Sequence, residues 1–338
     1  MDKKKIKAIL YAVLAAVFYA INMPFSKLLL KIIQPTMMAA FLYLGAGIGI
    51  GIIFFLNKKS DNKSDYLSKN DLPYVLGMIG LDIIAPILLM FGLLNTSSAN
   101  ASLLNNFEIV ATSVIALVVF KEIISRRLWI GIFLITISSI ILSFKDITSF
   151  NFSSGSLLVI LATICWGFEN NCTRKISSKN TYQIVMLKGI FSGLGSLIIA
   201  LIIGEQIPDI KYWLVILLLG FVAYGLSILF YIMAQSELGA AKTSAYYAIS
   251  PFIGVLLSFV LLKEQITSNY LLALIIMIIG SIIVVIDTLI INHEHMHIHT
   301  YVHTHNGTPN SHTIAHSHVH SHLSSDEDHK HHHNKAKI

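Results

Sequence analysis

The sequence predicts an all-α integral membrane protein: ten transmembrane helices in two inverted five-helix repeats, followed by a disordered His-rich tail. Three observations lead there. The 338 residues are 55% hydrophobic and only 12% charged, with mean hydropathy +0.71, whereas soluble domains carry roughly 25% charged residues. Apolar stretches of about 20 residues follow one another from Lys7 to Ile291. That is the length an α-helix needs to cross a ~30 Å hydrocarbon core with its backbone polar groups satisfied internally. The stretches run through one five-part pattern twice, and two copies of an odd-numbered bundle must enter a bilayer in opposite senses.

In order, the apolar segments are 7–30, 35–56, 72–94, 98–120, 125–144, 154–176, 181–203, 212–235, 240–262 and 268–290. The first begins after Lys3-Lys4-Lys5, like a secretory signal, but it is too long and lacks a small-x-small cleavage site. It reads as a retained span. The connections are short except for the polar 57–70. With the N-terminus inside, fifteen Lys and Arg fall in inner connections and five in outer ones. This asymmetry puts both termini in the cytoplasm, which requires an even number of spans. Cys165 and Cys172, seven apart on one helix, do not suit a disulfide. The net charge of +6 lies in loops rather than on a basic face, so nothing calls for nucleic acid. The three units are residues 1–147, 148–291 and the tail 292–338.

The duplication is legible residue by residue. Tyr19-Ala20-Ile21-Asn22 with Lys27 in the first segment parallels Trp166-Gly167-Phe168-Glu169 with Arg174 in the sixth. The fourth ends Val119-Phe120-Lys121-Glu122 and the ninth Leu261-Leu262-Lys263-Glu264. The second and seventh are glycine-rich: Gly45, Gly47, Gly49 and Gly51 against Gly189, Gly193 and Gly195. Such glycines allow close helix packing.

Asn95-Thr96-Ser97-Ser98-Ala99-Asn100-Ala101, the following Phe120-Lys121-Glu122, and Gly239-Ala240-Ala241, Ser250-Pro251 and Lys263-Glu264 in the second half together resemble the drug/metabolite transporter superfamily, EamA branch. The likeness covers roughly residues 7–290. It implies ten helices, a central cavity lined by segments 1, 3, 4, 6, 8 and 9, and export of small metabolites, often amino acids or related compounds, from a bacterial cytoplasmic membrane. Helix 4 of the family commonly carries a proline where this chain has Ile109, while the ninth segment keeps Pro251.

Ionisable groups inside a bilayer are costly and normally face protein or water. Four stand out here: Asp82, Glu108, Glu169 and Lys188. Asp82 and Glu108 lie equally far, about 20 Å, from the turn at 95–96 at 1.5 Å per residue. Facing each other they would share a proton, which suits proton coupling; otherwise one is a hydrogen-bonded structural carboxyl. Glu169 and Lys188 flank the turn near Ser178 at similar heights. They form either a structural or gating ion pair or, with Lys188 facing the cavity, a carboxylate ligand. Asn22 beside Pro24, Asn105-Asn106, and Asn170-Asn171 add amides. Tyr19, Trp166, Tyr246 and Tyr247 add aromatic walls. This suits a zwitterionic or polar ligand; the alternative is that the amides only tie helices together. The substrate-cavity candidates are therefore Tyr19, Asn22, Asn105, Glu108, Trp166, Glu169, Asn170, Tyr246 and Tyr247. The coupling or gating candidates are Asp82, Glu108 and Lys188. No nucleophile–base set suggests an enzyme, and no cofactor is required.

All fifteen histidines lie in the tail. His293, His295, His297 and His299 alternate along one stretch, and His316, His318, His320 and His322 along another. Imidazole suits Zn, Ni and Cu. Bound divalent metal at the tail is one expectation, and a low-complexity tail that gains charge toward acidic pH is the other. The tail also raises a rival reading, a transition-metal carrier or metal-regulated membrane sensor.

Overall fold

A computed structural model describes residues 3–57, 66–121, 124–146, 151–238, 243, 246–305 and 308–323; their side chains are described except at 3, 57, 120, 145–146, 151–152, 235–236 and beyond 287. Glu122, Lys242 and the tail histidine side chains lie outside the described residues. Each expected apolar segment is helical over most of its described residues. The second is Pro35–Asn57, the third Leu72–Asn95, the fifth Arg126–Ser143, the sixth Ser154–Ile176, the seventh Thr181–Ile202 and the tenth Ser268–Leu289. Among the described residues, eight helices are long and apolar enough to cross a membrane. Outside that set are Ser154–Ile176, which carries Glu169, Arg174 and Lys175, and the 13-residue Ser250–Leu262.

Four segments are interrupted. The first divides at Ile21 into Lys3–Ala20 and Asn22–Leu29. The fourth divides at Asn105–Asn106 into Ser98–Leu104 and Phe107–Phe120. The ninth turns at Ala248–Ile249 before Ser250–Leu262. Pro24 and Pro251 account for two of these breaks, since neither can donate to the carbonyl four residues back. The fourth breaks without a proline. There the Asn106 side chain competes for the Leu103 carbonyl at 3.4 Å, and the backbone closes tighter turns from Asn106 N to Leu103 O and Glu108 N to Asn105 O. The eighth runs from Ile210 to Leu238 through a π-helical stretch at Phe221–Leu226. Pro86 sits inside the Leu72–Asn95 helix without ending it.

The main partner of each segment comes from the other half. The second packs on the seventh, the third on the sixth, the first on the eighth and the fifth on the tenth; the fourth packs on the sixth more than on the ninth, and the ninth also packs on the first. Exchanging the halves maps this set of pairs onto itself. The second and seventh meet through bare backbone: a Cβ added at Gly189 would lie 2.3 Å from Gly47 N, and one added at Gly47 would lie 2.4 Å from Ile190 N.

Lys121 and Lys263 are the only non-glycine residues with positive φ among those described, at 57° and 52°, and each caps a helix C-terminus. The reversal at Lys263 brings Glu264 onto the start of the fourth segment, where its carboxylate accepts from Ser98 N at 2.7 Å and Ala99 N at 2.8 Å. At the same end, Glu205 accepts from Thr36 N at 3.1 Å and Met37 N at 2.6 Å at the start of the second. Both carboxylates sit on positive helix ends, each contact contributing about 0.3–1 kcal/mol. Lys27 reaches the opposite kind of end, donating to the carbonyls of Leu93, Leu94 and Thr96.

The tail departs from the disorder expected of it. Ile290–His305 and Thr308–Leu323 pair as antiparallel strands, with His305 opposite Thr308. The sequence between is Asn306-Gly307, the pair most favoured in two-residue hairpins, and alternating β-branched residues support the strands.

Candidate functional site

The breaks and the π-stretch surround a buried polar network. Lys188 of the seventh segment holds Asp82 Oδ2 at 3.0 Å and Glu169 Oε1 at 3.0 Å. The three side chains are 14%, 0% and 3% exposed. The expected Glu169–Lys188 pair forms, and Asp82 joins it. Tyr43 donates to Asp82 Oδ1 at 2.9 Å, and Thr173 donates to Glu169 Oε1. Asp82 Oδ2 has no aligned hydrogen-bond donor, although the ammonium is at contact distance; the contact acts through charge.

Glu108 lies beside this triad, and among the described residues no cation forms an ion pair with it. Asn170 Nδ2 donates to its Oε1 at 2.6 Å and approaches Thr112 Oγ1 at 3.3 Å. The facing of Asp82 and Glu108 is not what forms, because Lys188 and Tyr43 take up both oxygens of Asp82. Asn171 turns to the carbonyls of Gly167 at 2.8 Å and Thr112 at 3.2 Å, which ties helices together. Asn170 and Asn171 thus divide the two roles that neighbouring amides could play.

A tyrosine cluster closes the other side. Tyr19 meets Tyr224 at 6.0 Å and Tyr247 at 6.1 Å between ring centroids; Tyr43 meets Tyr224 at 5.2 Å, and Tyr231 meets Tyr247 at 5.1 Å. Asn22 donates to Tyr224 Oη at 2.9 Å and accepts from Ser26 at 3.0 Å. Trp166 is buried in the core. Tyr246 is not part of this cluster and is 39% exposed; adjacent helical residues point about 100° apart. Asn105 is buried, with Oδ1 unpartnered, against Tyr19, Ser102 and Gly254 in a cavity of water size. The sequence reading missed Tyr43 and Tyr224. Tyr43 is masked by the glycine pattern around it. Tyr224 enters through the π-stretch, a distortion that recurs at functional sites; its only signal was an aromatic next to Gly225.

A larger cavity, about 640 Å³, runs between Ser250–Leu262 and Ser268–Leu289. Its lining is apolar apart from Ser281, and it contains none of the candidate residues. Among the described residues no three His, Cys, Asp or Glu gather as a metal site.

A helical membrane body with a buried charged network and aromatic walls defines a membrane transport protein. The EamA-like transporter family matches residues 6–144 and 153–286, and the chain belongs to that family. It is 25% identical over 291 residues to an uncharacterized transporter of Methanothermobacter thermautotrophicus, covering 80% of this chain and 83% of that one. It is also 25% identical over 237 residues to the uncharacterized transporter YyaM of Bacillus subtilis, covering 67% and 76%. A solved crystal structure superposes with TM-score 0.61 at 14% identity, over 82% of this chain and 95% of that one; that likeness concerns the fold. The protein is a multi-pass membrane transporter, with the lipid bilayer and a small-molecule substrate as its partners.

Proposed function

We propose that this protein exports a small polar metabolite carrying an amino group, an amino acid or a related compound, in exchange for protons. In this reading all ten segments cross the cytoplasmic membrane of a bacterium. Residues 1–147 and 148–291 are inverted repeats that rock about the central network, and both termini are cytoplasmic. The self-mapping set of segment pairs supports the repeats. The observation that carries the substrate class is charge. Asp82, Glu169 and Glu108 gather around one lysine, and Lys188 is committed to the first two. Glu108, held by a single amide, is the carboxylate left for a proton or a substrate ammonium. The surrounding tyrosine rings add faces that attract cations. A carboxylate that binds either a proton or the substrate couples the two fluxes, because each ligand displaces the other.

The test is flux in proteoliposomes under an imposed pH gradient. Glu108→Gln is expected to abolish pH-driven flux of amino acids while membrane insertion stays normal. Unchanged flux would end the coupling role.

A second reading, a carrier of or sensor for Zn, Ni or Cu, is favoured by the histidine tail alone. His293, His295, His297, His299, His316, His318, His320 and His322 would be its ligands. It treats divalent metal as a regulatory or transported partner.

A further inference from the structure

The small cavity beside Tyr19 holds two buried side-chain oxygens without a hydrogen-bond partner, Ser102 Oγ and Asn105 Oδ1. The Ala20 carbonyl belongs to the same space: a Cβ added at Gly254 would lie 2.9 Å from Ser102 Oγ and 3.3 Å from Ala20 O. The helical partner of that carbonyl would be the N–H of residue 24, which is Pro24 and has none. Ser250 also lines the cavity. Its proton goes to Ala16 O at 2.8 Å, which leaves the lone pairs of Oγ free. Ala20, Ser102, Asn105 and Ser250, each bearing an oxygen acceptor, therefore line one small space where the interrupted first and fourth segments cross the ninth.

In a membrane interior, orphaned polar groups are costly. We infer that this junction binds a sodium ion. The Ser102 and Tyr19 hydroxyls can each donate into this space and a water can add two protons, whereas a cation is coordinated by all the oxygens at once. No carboxylate lines the cavity, so a divalent ion would remain uncompensated, and the set has no nitrogen or sulfur for a transition metal. The space takes one water-sized occupant, which suits Na⁺ better than larger cations. Carbonyls freed in interrupted membrane helices are a known means of holding such ions. The ion would bridge the hinges of the first and fourth segments to the ninth, adding an ion site to the proposed export reading on which its transport role rests.

The experiment uses full-length, substrate-free protein in nanodiscs. Thermal stability is measured in NaCl, KCl and choline chloride at equal ionic strength and pH. Sodium is expected to raise Tm saturably and choline not to. Ser102→Ala is expected to raise the half-saturating sodium concentration about tenfold or more, the loss of one buried ligand, with Tm in choline little changed. If that variant fails to fold, Gly254→Ala, whose Cβ fills the space, is expected to remove the sodium response. Equal Tm in sodium and choline, or an unchanged response in the folded variant, would overturn the inference and leave a trapped water only. Because no flux is read, failure here leaves the Glu108 test untouched, and failure there leaves this one untouched.

Discussion

Lys188 is the residue on which the buried network turns. Alone it offsets two carboxylates that are nearly inaccessible to solvent, at 3.0 Å each. Removing one member of a buried charge set leaves the others uncompensated, at a cost of about 3–5 kcal/mol. Lys188→Met is therefore expected to lower thermal stability in nanodiscs sharply. Adding Glu169→Gln to it should recover part of the loss, because one buried charge disappears with its partner. A Lys188→Met protein as stable as the parent would mean that water already screens the site. The ion pair was legible in sequence because both residues sit at similar distances from the turn near Ser178. The addition of Asp82 was not, since it depends on how the third segment packs on the sixth and seventh.

The elements carry the irregularities that position these side chains. Helix interruptions at Ile21, at Asn105–Asn106 and at Ala248–Ile249, with the π-stretch at Phe221–Leu226, turn polar and aromatic groups inward. Pro24 and Pro251 sit at two of these breaks, while Pro86 stays inside an unbroken helix. Asn105–Asn106 shows that side-chain competition for the backbone can take the place of a proline, and Ile109 is no obstacle to it. The glycine-rich second and seventh segments do the reverse and remove side chains so that backbones touch. Gly189→Ala is expected to destabilise the protein by about 1–3 kcal/mol through overpacking, since its Cβ would meet the backbone of Gly47 and Tyr43. Gly80 is the control: nothing lies within 4 Å of its added Cβ. Gly80→Ala should be neutral or stabilising by about 0.5–1 kcal/mol through helix propensity. Thermal unfolding of both variants checks the pair, and equal behaviour would refute the close approach.

For the whole molecule, the segment pairs drawn across the two halves leave neither half packed alone. Glu205 and Glu264 extend this by seating second-half carboxylates on first-half helix starts at one end of the bundle. The tail stands apart from that interlocked body. Deleting residues 292–338 is expected to leave amino-acid flux in proteoliposomes intact and to abolish most zinc binding by the purified protein. Zinc movement that survives the deletion would instead favour the metal-carrier reading.

The membrane-spanning character, the positions of the ten apolar segments and the doubling of the pattern were determined by sequence alone. Each follows from local composition and spacing, which the bilayer as solvent converts directly into helix. The Lys-Glu pairs after the fourth and ninth segments pointed to a duplication, but not to Lys263 turning left-handed to set Glu264 on another helix. Tyr43, Tyr224, the triad around Lys188 and the oxygen junction at Ser102 were decided only by tertiary structure. Their partners lie in segments far apart along the chain, and no periodicity within one segment reports which face meets which neighbour.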